Sequence, residues 1–182
     1  MKRRSSLLIF LLVFVGLLVL TIGQNLTRVD VLPTPDVPFY QVFTDFVLLD
    51  VSAVRLRSPE TGDTFAMARE PTTGVWQAIS PEGSLNIETA SAIGRTMVLL
   101  PYTRTISAPF GDDVETYGFT PEGILSIEIV LINGETHIVA VGYRIATELG
   151  YYAFVDDRPE LYILARAPID YLINQLREPP VA

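Results

Sequence analysis

His137 is the only histidine in this 182-residue chain, and histidine is the side chain able to give and take protons near neutral pH. Beside a carboxylate, an imidazole can serve as general acid or base, or supply one ligand of a metal site. A hairpin over residues 124–143, ILSIEIVLINGETHIVAVGY, is expected to place Glu128 diagonally across from His137. No H-x-x-x-H or H-E-x-x-H spacing brings a second ligand. Nor does a G-x-S-x-G elbow bring a serine nucleophile. Cysteine is absent, which excludes thiol nucleophiles, thiolate zinc sites and disulfides. The His137–Glu128 pair is therefore expected to be a contact on a pleated surface.

Two acidic doublets, Asp112-Asp113 and Asp156-Asp157, have the ligand type calcium needs but not the alternating oxygens and distal glutamate of a calcium loop. Asp156-Asp157-Arg158-Pro159 reads as a hairpin turn. Asp112 or Asp113 reads as the cap of a short helical turn closed by Gly118. Phosphate-cradling glycine loops are missing as well. The expectation is no catalytic residue, no metal ligand and no cofactor.

Contact chemistry is better represented. Tyr143, Tyr151, Tyr152, Tyr162 and Tyr171 cluster late in the chain, and residues 144–150 form the longest irregular connection of the second half. Arginine and tyrosine are enriched among interface anchors, so Arg144, Tyr151 and Tyr152 are the candidate partner-contact residues. Alternation along a strand points Tyr151 and Tyr152 in opposite directions, and the exposed one should belong to the contact surface.

The hairpin comes first among the elements that must position these groups. Asn133-Gly134 suits a two-residue type I′ turn, which would set Ile132 opposite Glu135, Ile129 opposite Ile138 and Ile127 opposite Ala140. Leu125, Ile127, Ile129, Leu131, Thr136, Ile138 and Ala140 would then share a covered face. Ser126, Glu128, Val130, Ile132, Glu135, His137, Val139 and Val141 would share a half-wet one.

Upstream, strand patterns occupy 46–57, 63–69 and 74–79, and Trp76 should cover the sheet. Helical spacing follows in Ile87, Ala90, Ile93, Gly94, Met97 and Val98, with Asn86 as N-cap and Pro101 as terminator. Residues 102–107 should be extended. Downstream, 151–155 and 161–165 read as strands, and a helix starts with Pro168 at its first position and Ile169, Leu172, Ile173 and Leu176 on one face. The pattern predicts an α+β domain of antiparallel hairpins. It should form two pseudo-repeated β-rich units, 46–99 and 124–176, each closed by an amphipathic helix and built on two sheets or one continuous sheet, after an N-terminal transmembrane helix.

The formal net charge is −8, and Lys2, Arg3 and Arg4 precede an apolar run. Without them, 10 basic residues face 21 acidic ones, a net of −11, which disfavours nucleic acid and anionic headgroups as partners. Residues 1–6 read as a cytoplasmic basic segment and 7–23 as a transmembrane signal anchor contacting the lipid bilayer. As a helix the run is about 25 Å long, tolerable against a hydrocarbon core of ~30 Å. Cleavage after Thr21-Ile22-Gly23 is the alternative. Residues 24–41, with Pro33, Pro35 and Pro38, read as a proline-rich stalk. Residues 42–178 read as the extracytoplasmic domain, in a single-pass chain with its N-terminus in the cytoplasm.

The run ETYGFTPEGILSIEIVLINGETHIVAVG, followed by GYYAFVDDRPELYILARAPIDYL, resembles the bacterial family of domains of unknown function numbered 4340. The likeness extends to the amino-terminal anchor, to a strand start like LLDVSAVRLR and to a Tyr-rich hairpin before a helix. Tyr117-Gly118-Phe119 stands where the family prefers Leu at the third place, and Pro121 arrives one residue early. The likeness spans nearly all of 46–176. It implies an extracytoplasmic module, often encoded near transport components of the gliding-motility ABC type, and hence an envelope protein partner. No catalytic residues are established for the family, so none is implied here. The expected function is a membrane-tethered, noncatalytic interaction module of an envelope assembly. The alternative is a hydrolase, or a small-ligand or lipid-binding protein, whose site the sequence does not display.

Overall fold

The turn at Asn133-Gly134 sets the register of the sheet, and it closes one residue away from the type I′ expectation. In the computed structural model, which describes residues 38–107, 114–120, 122–147 and 149–181, the Gly134 amide donates to the Leu131 carbonyl at 3.0 Å and the Leu131 amide to the Glu135 carbonyl at 2.8 Å. Ile132, Asn133 and Gly134 thus form a three-residue loop in which Gly134 takes φ +89° and makes a bulge. The Asn133 Oδ1 accepts the Glu135 amide at 2.9 Å. That bond holds the asparagine outside the positive-φ region a type I′ turn demands of it. The pairs become Ile129 with His137, Ile127 with Val139 and Leu125 with Val141.

This shift by one residue turns over the second strand. His137, Val139 and Val141 face the core while Thr136 and Ile138 face out. Val141 and Val139 in turn pair with Ala153 and Val155 of the next strand, and all four are buried. Gly134→Val should destabilise the domain by about 1–2 kcal/mol, because a β-branched residue is forced to positive φ. Its open surroundings make the effect conformational, so an unchanged urea midpoint would remove this turn assignment.

In chain order the elements are β1 (Tyr40–Gln41), β2 (Val51–Arg57), β3 (Thr64–Arg69), β4 (Trp76–Ser80), β5 (Glu82–Gly83), α1 (Ile87–Val98), β6 (Pro101–Ser107), β7 (Leu125–Leu131), β8 (Thr136–Arg144), β9 (Gly150–Val155), β10 (Glu160–Ala165) and α2 (Arg166–Arg177). One antiparallel sheet contains all ten strands, in the order β1-β6-β10-β9-β8-β7-β2-β3-β4-β5.

This corrects the expected fold class. There are no two pseudo-repeated β-rich units each closed by its own helix, because the sheet runs without a break through the β2–β7 pair, with Val54 opposite Ile129 and Leu56 opposite Ile127. The reason lies in the edges. Hairpins β2–β3 and β7–β8 each leave one strand with unpaired backbone, and pairing those edges satisfies both. Ser52 Oγ, donating to the Val130 carbonyl at 3.0 Å, and the Arg55–Glu128 ion pair at 2.7 Å reinforce the seam. α1 then carries the chain from β5, at one edge of the sheet, to β6, near the other.

The two helices share a core with one face of the sheet. Ala90, Ile93, Met97 and Val98 of α1 and Ile169, Leu172 and Leu176 of α2 pack with Leu56, Phe65, Met67, Trp76, Ile127 and Val139. Asn86 caps α1 by accepting the Thr89 amide at 3.1 Å. α2 starts earlier than expected, at Arg166, with Pro168 as its third residue, a position still inside the turn where no intrahelical donor is needed. On the reverse face, a 3-10 turn at Val114–Tyr117 leads into a segment that sets Phe119 against Phe154 at 4.6 Å and Tyr117 edge-on to Tyr152 at 4.8 Å. This segment lies so close to β8 that a Cβ on Gly142 would collide with the Tyr117 carbonyl oxygen.

Among the described residues no helix is long and apolar enough to cross a membrane. The basic segment 1–6, the anchor 7–23, stalk residues 24–37 and the Asp112-Asp113 doublet lie outside the described residues.

Candidate functional site

Inverting β8 puts His137 under the segment that precedes β2. Its ring stacks on Phe46 at 4.9 Å and meets Phe43 at 5.2 Å, leaving the residue 9% exposed. Glu128 is not its neighbour, since that side chain lies on the other face of β7 and pairs with Arg55. The partner is Asp156, whose Oδ2 lies 2.9 Å from His137 Nδ1 and whose Oδ1 accepts the Ile138 amide at 2.7 Å. Asp156 sits in the β9–β10 turn at φ +47°, a conformation aspartate tolerates better than most side chains.

Facing a carboxylate, which accepts, Nδ1 is the donating nitrogen of the ring. Nε2 is buried and, among the described residues, has no hydrogen-bond partner. A carboxylate-oriented imidazole is two of the three members of a hydrolytic triad, but among the described residues no hydroxyl meets Nε2. Arg158, from the same turn, holds the cover in place. Its Nη1 donates to the Val42 carbonyl at 3.0 Å and to the Tyr162 hydroxyl at 3.3 Å, and its guanidinium lies over the Phe43 ring at 5.8 Å. Among the described residues no three His, Asp or Glu side chains converge to hold a metal ion.

Of the candidate contact residues, the structure brings Arg144 and Tyr151 together and separates Tyr152 from them. Arg144 pairs with Tyr151 across β8 and β9, just past a register shift. Tyr151 is buried on the helix-covered face, and its hydroxyl donates to Asp170 Oδ1 at 2.5 Å while accepting from Arg144 Nη2 at 3.0 Å. Arg166 Nε donates to the second Asp170 oxygen at 2.9 Å, and Arg144 Nη2 lies 3.6 Å from the first. Burial, and then the bond to Asp170, raise the Tyr151 phenol above its ordinary pKa. For Asp170 burial works in the opposite direction, yet the bonds from Tyr151 and Arg166 and the two guanidinium charges hold its carboxyl below the ordinary value.

Tyr152 is half-buried on the reverse face against Tyr117. The exposed apolar area of this connection belongs instead to Tyr143, 55% exposed, and Leu149, 72% exposed. The Ile145 amide, donating to the Gly150 carbonyl at 2.9 Å, closes the loop at its base.

The sequence reading missed Phe43, Phe46, Arg158, Asp156 as the histidine's partner, and Asp170. The available signal was the Phe43-x-x-Phe46 spacing before β2, too short to show periodicity. Asp170 sits on a helix face otherwise read only for its apolar stripe. Comparison of the chain with protein-family models, with curated proteins and with solved structures finds no match.

Proposed function

We propose that the protein is a membrane-tethered, noncatalytic interaction module of a bacterial envelope assembly. Residues 7–23 hold it in the bilayer, and residues 42–178 lie outside the cytoplasm. The resemblance to family 4340 supports an envelope partner of the ABC-type transport or gliding-type kind. The observation that carries the reading is the network of Arg144, Tyr151, Asp170 and Arg166, which fixes both strands flanking the late loop to α2. A loop stiffened at its base presents Tyr143 and Leu149 at little entropic cost on binding.

The test is a photo-crosslinking residue at Tyr143 or Leu149 of the full chain in native membranes. One discrete heavier adduct is expected from each, weakened by Arg144→Ala while the fold survives. Adducts equally strong from Thr72, an exposed turn residue, or none from either position, would sink the assignment. Protease added to intact spheroplasts should digest the domain, and complete protection until lysis would refute its orientation.

A further inference from the structure

Two grooves meet along the carboxyl-terminal half of α1, and Arg95 and Leu99 line both. One, of about 500 Å³, includes the buried Phe46 and Val98 and is rimmed by Val47. The other, of about 350 Å³, runs past Pro101 to Pro168 and Tyr171 at the start of α2. Both volumes fall within the range of small-molecule sites, which are mostly apolar with a few polar groups to fix orientation.

Val47 is 58% and Leu99 57% exposed, so the rim is apolar where it meets water. The neighbouring polar side chains are already engaged inside the domain. Gln41 Nε2 donates to the Val98 carbonyl at 3.2 Å and Thr96 Oγ1 to the Ala92 carbonyl at 2.8 Å. Arg95 differs, since among the described residues it makes no ion pair. The lining is thus an apolar trough with one uncompensated guanidinium where its two halves join.

We infer that this trough binds a long-chain fatty carboxylate. The acyl chain lies along Phe46, Val98 and Leu99, and the carboxylate takes the two-pronged donor of Arg95. One guanidinium matches a singly charged head, whereas a phosphate dianion would keep an unpaired charge beside apolar walls. A second copy docked symmetrically here would set Arg95 against Arg95. This inference stands apart from the late-loop contact surface and does not depend on it.

The experiment labels the full chain, held in phosphatidylcholine nanodiscs, with a diazirine analogue of palmitate, and maps the adducts by mass spectrometry. Adducts should concentrate in 44–48 and 95–99, the lining of the larger groove, and be competed by palmitate but not by its uncharged methyl ester. Arg95→Gln and Leu99→Asp should each lower the competed labelling about tenfold, with the thermal midpoint unchanged because both side chains are exposed. Labelling spread over the surface, competition by the methyl ester equal to that of palmitate, stronger competition by a lysophosphatidic acid, or adducts joining two copies of the chain would each overturn the inference.

Discussion

Gly142→Ala is expected to destabilise the domain by about 3 kcal/mol, and Gly142→Val to leave little folded protein. The new Cβ would collide with the Tyr117 carbonyl oxygen and reach within 3.0 Å of two Phe119 ring carbons. Backbone meets backbone there, so no flexible side chain can yield. The segment must lift away, taking Phe119 off Phe154 and Tyr117 off Tyr152. Truncating the ring with Phe119→Ala in the same chain should not rescue the variant, because the carbonyl remains. The check is a urea midpoint combined with far-ultraviolet circular dichroism. A Gly142→Ala midpoint matching the parent would mean that the segment around the Val114–Tyr117 turn is not seated on β8.

Asp156→Ala should cost about 3 kcal/mol, the loss of two hydrogen bonds to an ionised acceptor together with alanine's dislike of positive φ. The cost is high because it leaves His137 Nδ1 and the Ile138 amide without their acceptor. His137→Phe should cost only about 1 kcal/mol, since a third ring beside Phe43 and Phe46 fills the space and the unpartnered Nε2 disappears. In a double-mutant cycle the two changes should couple by about 1 kcal/mol or more, as expected for groups that share a bond. Additive effects would show that the pair does not interact in solution. In cells the His137→Phe protein should remain functional. Loss of function with folded, abundant protein would promote the hydrolase reading over the interaction module.

Much of the local structure was legible, because local structure has local causes. Asn86 marked the start of α1 and the apolar residues at helical spacing ran to its last residue, Val98, and Pro101 starts β6 as expected of a residue that cannot continue a helix. Strand alternation put Tyr151 and Tyr152 on opposite faces. The errors came where two local solutions compete or where distance in sequence intervenes. Asn-Gly supports either a two-residue or a three-residue hairpin loop, and the three-residue choice is held by Asn133, whose Oδ1 accepts the Glu135 amide and whose Nδ2 donates to the Glu135 carboxylate. That single choice moves His137 from a wet surface into an aromatic pocket and exchanges Glu128 for Asp156. The merger of the expected units depends on β2 meeting β7, where Arg55 and Glu128 are 73 residues apart, a pairing that hydrophobic periodicity does not encode. Asp170 escaped for a similar reason, since its role is defined by Tyr151 on a strand formed earlier in the chain.

The strand order bears on how the polypeptide must be made. The block β7 to β10 is wedged between β2 and β6, two strands that precede it in the chain. While the ribosome is still delivering that block, β2 and β6 each present a bare row of amide and carbonyl groups, the kind of edge that recruits strands from other chains. The chain up to β6 therefore has no finished state to wait in, and the sheet closes only when its last strand has emerged. A chaperone that shields extended segments during synthesis should raise the yield of this protein more than one that assists compact intermediates.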